Sequence, residues 1–391
     1  MNKSKFPNAT DPMKKQMAIV VTSPMIAKFF LIPHIKLLSN SYDITLISNM
    51  KSNANYLDNI IDKVQLIDIN IQRDIRLFAD IYSLISLVKH FNKMNYDLVY
   101  SITPKGGLIA TMAGRISGIP VRIHTFTGQV WATSNGMKKN LLKLFDKLIS
   151  LLSSFILVDS ISQRRYLLAK NIISETKSSV LASGSISGVD MDRFIANSES
   201  RLLFRSSRNI SNETIVFLYL GRLKKDKGIF DLIEAYGKLL NDVQSKTKLI
   251  IVGPDEEGII NLLHIKVAIE RMGIVYIPYV ANPECVLAGA DVLCLPSYRE
   301  GFGNVVIEAA SMGIPTIGYK IYGLTDAIVD GETGLCVELG DIDKYSARMH
   351  ELVSNNALRT RLGNNSRQRV AEKFNEAILT NAFQELLLSK L

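Results

Sequence analysis

Two glutamates eight positions apart, Glu300 and Glu308, are the residues whose spacing most clearly suggests chemistry. The segment "EGFGNVVIE" follows an apolar run, so Glu300 is predicted in a loop and Glu308 on a helix that begins near Gly303 or Asn304. Carboxylates accept hydrogen bonds from neighbouring hydroxyl groups. The two glutamates are therefore predicted to bind the hydroxyls of two sugar rings. From the spacing alone, it is equally possible that Glu300 caps a turn and that Glu308 is a solvated helix residue.

The stretch between the two glutamates is suited to binding a phosphate group. The amino end of a helix presents free backbone N–H groups with positive dipole character, and glycines let an anion approach the backbone. Gly301, Phe302, Gly303 and Asn304 are therefore predicted to bind an anion. A nicotinamide-binding fingerprint is disfavoured, because Val306 stands where its third glycine should be.

A basic loop, "GRLKKDKG", supplies candidate cations. It follows the apolar run "TIVFLYL", which places Gly221, Arg222 and Lys227 at the end of a predicted strand. An isolated loop of this kind is more often a solvated turn. Beside the glutamate pair, we expect Arg222 and Lys227 to neutralise a diphosphate and to stabilise the charge that develops when a bond to its oxygen breaks.

Polar residues also follow predicted strands in the first half of the chain. "HTFTGQVW" places His124 and Thr127 at one strand end, and "ITPKGG" places Lys105 and Gly106 at another. Ser23 lies in the loop "TSPM" after the first strand. A lone histidine is more often structural, but the strand-end position makes a functional His124 equally acceptable. Lys105 and its glycines suit an anionic group.

Short runs rich in valine and isoleucine alternate with helix-length segments in two successive series. The 391 residues exceed what one core of about 250 to 300 residues supports, so two domains are expected. The alternation predicts an α/β fold with two doubly wound, Rossmann-like domains that face each other across a cleft. Residues 1–190 and 191–391 are the predicted domains, and the last helix is expected to pack back on the first. The predicted strands span residues 17–23, 42–48, 63–69, 96–102, 121–127 and 155–160, then 214–221, 248–253, 274–280, 291–297 and 314–320.

The net charge of +9 is concentrated in the first half of the chain. Residues 1–200 contain 24 lysines and arginines against 14 acidic residues, whereas residues 201–391 contain 22 against 23. This asymmetry predicts an anionic partner for the first half: nucleic acid, a membrane surface or a phosphorylated substrate. The basic amphipathic segment at residues 137–155 is either a membrane-surface helix or an ordinary surface helix, and the charge asymmetry favours the membrane.

The cysteines and apolar segments indicate where the protein works. Cys285, Cys294 and Cys336 form no metal-ligand pattern, so a reduced, cytoplasmic chain with buried thiols is expected. No secretory signal is recognised, and the apolar segment 141–158 carries charges that argue against a membrane span.

Four segments together resemble the donor-binding domain of glycosyltransferase family 4, whose members are retaining enzymes with the GT-B fold. The segments are "GRLKKDKG", "VGPDEEG", "PSYREGFGNVVIEAASMGIPTIG" and "DGETGLCV". The resemblance implies that Glu300 holds hydroxyls of the donor sugar and that Glu308 holds the ribose. It assigns Arg222 and Lys227 to the diphosphate, and the backbone amides of residues 301–304 to the same group.

The resemblance also implies that no metal or other cofactor is required. Two Asp-x-Asp patterns, at residues 190–192 and 341–343, are interpreted as a junction turn and a helix start. The retaining mechanism that it implies moves a sugar from a nucleotide to an acceptor hydroxyl. In similar proteins the histidine that matches His124 touches the donor sugar. Many relatives carry two glycines in the loop where this chain has Ser23, a predicted acceptor contact.

A closer resemblance is to bacterial enzymes that extend polyprenyl-diphosphate-linked sugars for O-antigen, capsule or related glycans. "SPMIAKFFLIPHIKLL", "PKGG" and "HTFTGQVW" carry it. It implies a UDP-sugar donor, with N-acetylgalactosamine slightly ahead of N-acetylglucosamine, and a lipid-linked acceptor bound by Ser23, Lys105, Gly106 and Thr127. The expected location is the inner face of the cell membrane, with peripheral attachment to its anionic surface and no nucleic acid as partner.

Two other functions remain open at this point. A GT-B isomerase of the UDP-N-acetylglucosamine 2-epimerase type would use the same nucleotide, but it needs several acid/base groups around the sugar. Only His124 and Glu300 offer themselves for that role. A non-catalytic partner that binds a sugar nucleotide is disfavoured by the intact Arg222, Lys227 and glutamate pair.

Overall fold

The computed structural model describes residues 14–50, 57–58, 60–72, 76–243 and 247–391. The polar first dozen residues of the sequence lie outside this range. The strands are β1 Lys15–Val20, β2 Tyr42–Ser48, β3 Val64–Asp68, β4 Leu98–Ile102, β5 Val121–Phe126, β6 Phe155–Val158, β7 Ser178–Val180, β8 Ile215–Leu220, β9 Thr247–Val252, β10 Val275–Ile277, β11 Val292–Leu295, β12 Thr316–Tyr319 and β13 Gly334–Val337.

Helices connect most of these strands. They are α1 Pro24–Phe30, α2 Ile32–Leu38, α3 Leu77–Lys93, α4 Pro104–Ile116, α5 Gly136–Leu152, α6 Ile161–Ala169, α7 Ser198–Ser206, α8 Ile229–Val243, α9 Leu263–Met272, α10 Pro283–Gly289, α11 Asn304–Ser311, α12 Leu324–Ala327, α13 Ile342–Ser354, α14 Asn356–Lys373 and α15 Glu376–Lys390. In the part of the chain that the structure describes, none of them is long and apolar enough to cross a membrane.

The strands form two sheets with the same internal order. The first is β3-β2-β1-β4-β5-β6-β7 and the second is β10-β9-β8-β11-β12-β13. β1 pairs in parallel with β2 and β4, and β8 pairs in parallel with β9 and β11. The chain therefore reverses its direction of winding beside β1 and again beside β8, which is the doubly wound arrangement. The predicted α/β class and its two Rossmann-like sheets are confirmed.

The strands form where the sequence is continuously apolar. Every residue of β4 is buried, as are four of the six residues of β8, because a parallel sheet is covered on both faces. All the strands predicted from valine- and isoleucine-rich runs are present. β7 and β13 were not predicted, because "SSV" contains a single apolar residue and "GLCV" begins with a glycine directly after turn residues.

The described chain divides into two compact units that do not follow sequence order. One contains the described residues of Met1–Thr125 with Leu144–Ile156 and Phe383–Leu391, and the other contains Phe126–Lys143 and Leu157–Ala382. In the first unit, Phe383 near the carboxyl terminus packs against His34 and Tyr100, with ring centroids 4.9 and 4.8 Å apart. A domain boundary at residue 190 stays a prediction.

A buried arginine fastens α7 to the second sheet. The side chain of Arg205 is 1% exposed. Its guanidinium donates hydrogen bonds to the carbonyls of Gly289, Ser211 and Thr214 and lies 3.2 Å from a carboxylate oxygen of Asp291. Four acceptors offset much of the cost of burying this charge, so the position tolerates no smaller residue.

Substitution Arg205→Ala is expected to lower the free energy of unfolding by about 3–5 kcal/mol, because three backbone carbonyls and Asp291 lose their buried donor. Urea denaturation followed by circular dichroism measures the change. Arg361→Ala, at an exposed position of α14, is the matched control and should change stability by less than about 0.5 kcal/mol. Equal losses in the two variants would contradict the anchoring role.

Candidate functional site

The second sheet brings two predicted loops together at its switch point. β8 and β11 are neighbours, and parallel strands that lie side by side end at the same edge of a sheet. The loop from Gly221 leads into a helical turn at Lys225–Lys227, and the loop from Ser297 leads to α11. The two loops are tied by a hydrogen bond of 2.9 Å from the Tyr298 N–H to the Asp226 carbonyl.

Lys227 and Glu300 form an ion pair in this region. The distance from Lys227 Nζ to Glu300 Oε1 is 2.7 Å, and Nζ also lies 3.3 Å from the carbonyl oxygen of Arg299. The two side chains are only 14% and 15% exposed, so solvent screens their attraction less than it would at the surface. Lys227, the cation predicted for a diphosphate, and Glu300, the carboxylate predicted for a sugar, are thus in direct contact.

A second ion pair, which the sequence analysis missed, supports these loops. Arg299 lies 2.7 Å from Asp226, and both side chains are mostly buried. Burial raises the pKa of Asp226, but the hydrogen bond and charge of Arg299 outweigh it and leave the pKa below its usual value. The ionised pair joins the residues that precede Lys227 and Glu300, and so fixes both side chains in place.

Arg222 lies at the same sheet edge and is held by Glu256, from the "VGPDEEG" segment after β9. Its Nη1 is 3.1 Å from Glu256 Oε2, and Lys224 lies 3.1 Å from the same oxygen. Burial acts to raise the pKa of Glu256, but Lys224 and Arg222 outweigh burial and leave the pKa below its usual value. The carboxylate therefore stays charged. The Arg222 side chain is 40% exposed, which leaves its guanidinium accessible to an anion.

The predicted anion site is the amino end of α11. Gly303 precedes the helix with φ of 86°, a left-handed conformation that favours glycine, and no side chain caps this end within the described chain. Phe302 is 1% exposed and packs on Phe374, so only its backbone can face a ligand. Asn304 accepts a hydrogen bond of 3.0 Å from the Ser185 hydroxyl.

Glu308, one turn further along α11, faces an ion pair. Arg193 and Glu284 lie 2.8 Å apart beside it. Burial raises the pKa of Glu308 to about 7; Arg193 acts against this shift and Glu284 adds to it. The carboxylate therefore titrates near neutral pH and, in its ionised form, can accept hydrogen bonds from a pair of hydroxyls.

Asp159 is the most notable side chain that sequence reasoning missed. It directly follows β6, is 8% exposed, and its Oδ1 atom has no hydrogen-bond partner among the described residues. Burial and the charge of Glu300 raise its pKa to about 8. The signal was available, because a carboxylate after the buried run "FILV" occupies the same strand-end position that singled out His124.

Gly301 lies between Asp159 and the Thr127 loop. A methyl group at Gly301 would stand 2.5 Å from Asp159 Oδ2, 2.9 Å from the carbonyl carbon of Thr127 and 3.0 Å from the Gly128 nitrogen. Only a residue without a side chain fits there. Thr127, predicted for an acceptor, is thereby placed next to the loop of Glu300.

His124 was predicted at a strand end, but it is the fourth of the six residues of β5, in the first unit, and is 1% exposed. Its Nδ1 lies 3.0 Å from the Ser101 hydroxyl, and burial lowers its pKa to about 3. Gly107 makes room for the ring, since a methyl group there would lie 2.2 Å from the imidazole carbon Cε1. His124 is therefore neutral at physiological pH and can offer hydrogen bonds but no positive charge.

The remaining predicted residues of the first unit lie after the neighbouring strands β1 and β4. Ser23 caps α1 by accepting a hydrogen bond of 3.3 Å from the Met25 N–H. Lys105, at the start of α4, forms an ion pair with Asp80 of α3. A methyl group at Gly106 would stand 3.5 Å from the side chain of Thr22, so the two loops lie close together.

The first aspartate of each Asp-x-Asp segment accepts a hydrogen bond from a nearby backbone N–H. Asp190 accepts a hydrogen bond of 3.0 Å from the Asp192 N–H in a turn, and Asp341 accepts one of 2.9 Å from the Lys344 N–H at the start of α13. Across the described ranges, no three histidine, cysteine or acidic residues are grouped as metal ligands.

Comparison with known proteins decides the family. Residues 200–369 match the model for "Glycosyl transferases group 1", and residues 20–157 match "Glycosyl transferase 4-like". The capsular polysaccharide biosynthesis glycosyltransferase CapM of Staphylococcus aureus is 32% identical over 345 residues, which are 88% of this chain and 89% of CapM. The chain belongs to this family of glycosyltransferases. It is therefore a transferase, and its two sheets are those of the GT-B fold.

Two further comparisons extend this result. The glycosyltransferase is 25% identical, over 90% of its chain and 88% of the relative, to the UDP-Gal:alpha-D-GlcNAc-diphosphoundecaprenol alpha-1,3-galactosyltransferase of Escherichia coli. The crystal structure of Anabaena HepE in complex with UDP and glucose matches with a TM-score of 0.79, 16% identity, and coverage of 96% of this chain and 100% of that one. At that identity the second match shows the fold alone.

Substitution Gly301→Ala is expected to destabilise the glycosyltransferase by about 1–3 kcal/mol, because the added methyl overlaps Asp159 and the backbone of residues 127–128. Thermal and urea unfolding measure the loss. Gly221→Ala is the control, since the atoms nearest to a methyl there belong to the Tyr219 phenol, at 3.4 Å and more. Similar stability of both variants would show that the loop at Gly301 is less tightly enclosed than described.

Proposed function

We propose that this glycosyltransferase moves a sugar from a UDP-sugar to a polyprenyl-diphosphate-linked sugar acceptor, with retention of anomeric configuration, in the synthesis of O-antigen, capsule or a related bacterial surface polysaccharide. The donor sugar is proposed to be an N-acetylhexosamine, with N-acetylgalactosamine ahead of N-acetylglucosamine. The observation that carries the proposal is the ion pair of Lys227 and Glu300 at the switch point of the second sheet. The names of the capsular and diphosphoundecaprenol relatives support the pathway and the acceptor class.

The donor is proposed to bind by exchanging partners at this ion pair. A diphosphate carries more charge than one carboxylate, so it attracts Lys227 away from Glu300. Arg222 and the backbone amides at the start of α11 add to the diphosphate site. Glu300, once released, accepts hydrogen bonds from the donor sugar, while ionised Glu308 accepts them from the ribose. The same two loops thus bind both ends of the donor.

The transfer step then needs no side-chain nucleophile. The bond between the anomeric carbon and the β-phosphate oxygen breaks, and the acceptor hydroxyl forms the new bond on the same face of the sugar. The hydroxyl proton moves to the departing phosphate oxygen, and UDP leaves. Lys227 and Arg222 stabilise the negative charge on the leaving group, which is the role that a metal ion plays in other transferases. We therefore propose that no metal is required.

Residues of the first unit are proposed to serve the acceptor and the donor sugar. Lys105 supplies positive charge for a lipid diphosphate, with Ser23 and Gly106 in adjoining loops. His124 is neutral and suits a hydrogen bond to a sugar hydroxyl. Thr127, on the second unit, contributes a further polar group beside the loop of Glu300.

Peripheral attachment to the inner face of the membrane is proposed for the basic half of the chain. On α5, exposed apolar side chains recur on one stripe at Met137, Leu141, Leu144 and Leu151, with exposures of 89%, 47%, 59% and 69%. A helix that served only to cover a core would turn these side chains inward.

A second exposed apolar stripe, which the sequence analysis missed, lies on α3. Its members are Leu77, Phe78, Ile81, Tyr82 and Ile85.

The purified enzyme is expected to release UDP only when one particular UDP-sugar and a short-chain polyprenyl-diphosphate-linked GlcNAc or GalNAc acceptor are both present. The donor panel contains the UDP derivatives of galactose, N-acetylgalactosamine and N-acetylglucosamine, each with and without EDTA. Anomeric retention is read from the NMR coupling constant of the product. No release with any UDP-sugar, or acceptor-independent interconversion of the donors, would overturn the proposal.

Lys227→Ala is expected to lower kcat/KM about 100-fold to 1000-fold in this assay, because the leaving phosphate loses its buried cation. Lys225→Ala is the matched control: this lysine belongs to the same turn but is exposed. We expect it to retain activity within about twofold. Loss of activity in both variants would point to the net charge of the loop instead of the ion pair.

Leu144→Glu is expected to reduce binding to vesicles that contain anionic phospholipid by about tenfold or more, because it places a charge on the apolar stripe of α5. Co-sedimentation measures the bound fraction. Leu263→Glu, at a 78% exposed position of α9 in the second unit, is the control and should bind as the unmodified enzyme does. Equal binding of both variants would exclude α5 as a docking element.

A further inference from the structure

A buried carboxyl group, Asp159, lies beneath the loop that carries Glu300. It is joined to this loop by close packing, with its Oδ2 atom 2.5 Å from where a methyl on Gly301 would be. Its backbone is fixed on both sides, since its N–H donates to the Phe126 carbonyl at 3.2 Å and its carbonyl accepts from the Ser185 N–H at 2.8 Å. These two bonds fix the backbone from which the buried side chain extends.

Among the residues that the structure describes, no cation forms an ion pair with Asp159. The charged group that acts on it is Glu300, and Lys227, the cation beside Glu300, is paired with Glu300 itself. The other adjoining segments contribute the backbone of Thr127–Gly128 and the residues Gly184 and Ser185, none of which titrates. Arg299, the neighbour of Glu300 in sequence, is paired with Asp226. An ionised Asp159 would be a second, uncompensated negative charge in an enclosed space.

We propose that Asp159 is a positioning residue for the transfer reaction, whose buried carboxyl group stays neutral while the enzyme works, so that Glu300 carries the negative charge of this carboxyl pair. This inference rests on the donor arrangement proposed above, and extends it to a residue that touches neither donor nor acceptor. It gives a reason for a carboxyl group at a position where an apolar side chain would fill the same space.

The need for neutrality becomes greatest when the donor binds. The diphosphate draws Lys227 away, and Glu300 then loses the cation that balances it. Two ionised carboxylates in the same enclosed space would repel each other, and the loop from Arg299 to Gly303 would be displaced from the donor sugar. A neutral Asp159 instead lets Glu300 keep its charge and its place.

The test compares the pH profiles of kcat/KM for the unmodified enzyme and Asp159→Asn, with Asp343→Asn as control. Asparagine has the shape of the neutral carboxyl group and cannot ionise. The control makes the same change at a side chain that is 83% exposed on α13. The unmodified enzyme and the control should rise in activity through about pH 7, as Glu308 ionises, and fall above about pH 8, as Asp159 ionises.

In Asp159→Asn the alkaline fall should move upward by at least about one pH unit, and the acid limb should stay. At pH 9 the variant is expected to be about tenfold more active than the unmodified enzyme, because a group of pKa near 8 is then about 90% ionised. Asp159→Ala, which leaves the loop without support, should be slower than Asp159→Asn at every pH. An alkaline limb unchanged by Asp159→Asn, or a folded but inactive Asp159→Asn at pH 7, overturns the proposal.

Melting temperatures provide a readout that needs no substrate. The folded chain keeps the Asp159 proton up to about pH 8, whereas the unfolded chain loses it near the ordinary aspartate value of about 4. The unmodified enzyme should therefore lose stability relative to Asp159→Asn as the pH rises from 5 to 8, and the difference should be constant above that. If no donor supports transfer, the proposed function fails, yet equal melting profiles would separately overturn a neutral Asp159.

Discussion

The ion pair between Lys227 and Glu300 is the interaction on which the arrangement of the donor site depends. Both side chains are about 85% enclosed, and at 2.7 Å they satisfy each other's charge. Breaking the pair without a substitute partner would leave a largely buried charge uncompensated, which costs several kcal/mol. The pair therefore holds the two loops in their working positions before any ligand arrives, and it presents a cation that a stronger anion can take over.

The doubly wound topology makes this pairing possible. Because winding reverses beside β8, the loops that follow β8 and β11 have no helix between them and can approach each other at the sheet edge. The ion pair of Asp226 and Arg299 and the enclosed Gly301 then set the fine geometry. Two features thus place the reactive groups: the reversal of winding beside β8, and the lack of a side chain at Gly301.

The fold was largely predictable from the sequence, because buried parallel strands read as apolar runs that local pattern reveals. The pairing of residues was not. Lys227 and Glu300 were each predicted as ligand contacts, but they lie 73 positions apart, and spacing along the chain does not report that they meet. Asp159 was not predicted for a related reason. Its unusual property is that Oδ1 has no hydrogen-bond partner among the described residues, which only the surrounding packing reveals. Phe302, by contrast, was grouped with the anion site, and its side chain belongs to the core.

The protonation state of each titratable group in the site depends more on its surroundings than on its residue type. Asp226 and Asp159 are both aspartates that burial disfavours as anions, yet Arg299 keeps the first charged, while Glu300 pushes the second further toward its neutral form. The presence or absence of one cation at hydrogen-bond distance decides the outcome. A site built in this way can keep its positive charges for a phosphate-bearing ligand, because each carboxylate that would compete for them either has its own partner or has no charge. Glu300 is the exception, and it holds its cation only until a diphosphate arrives.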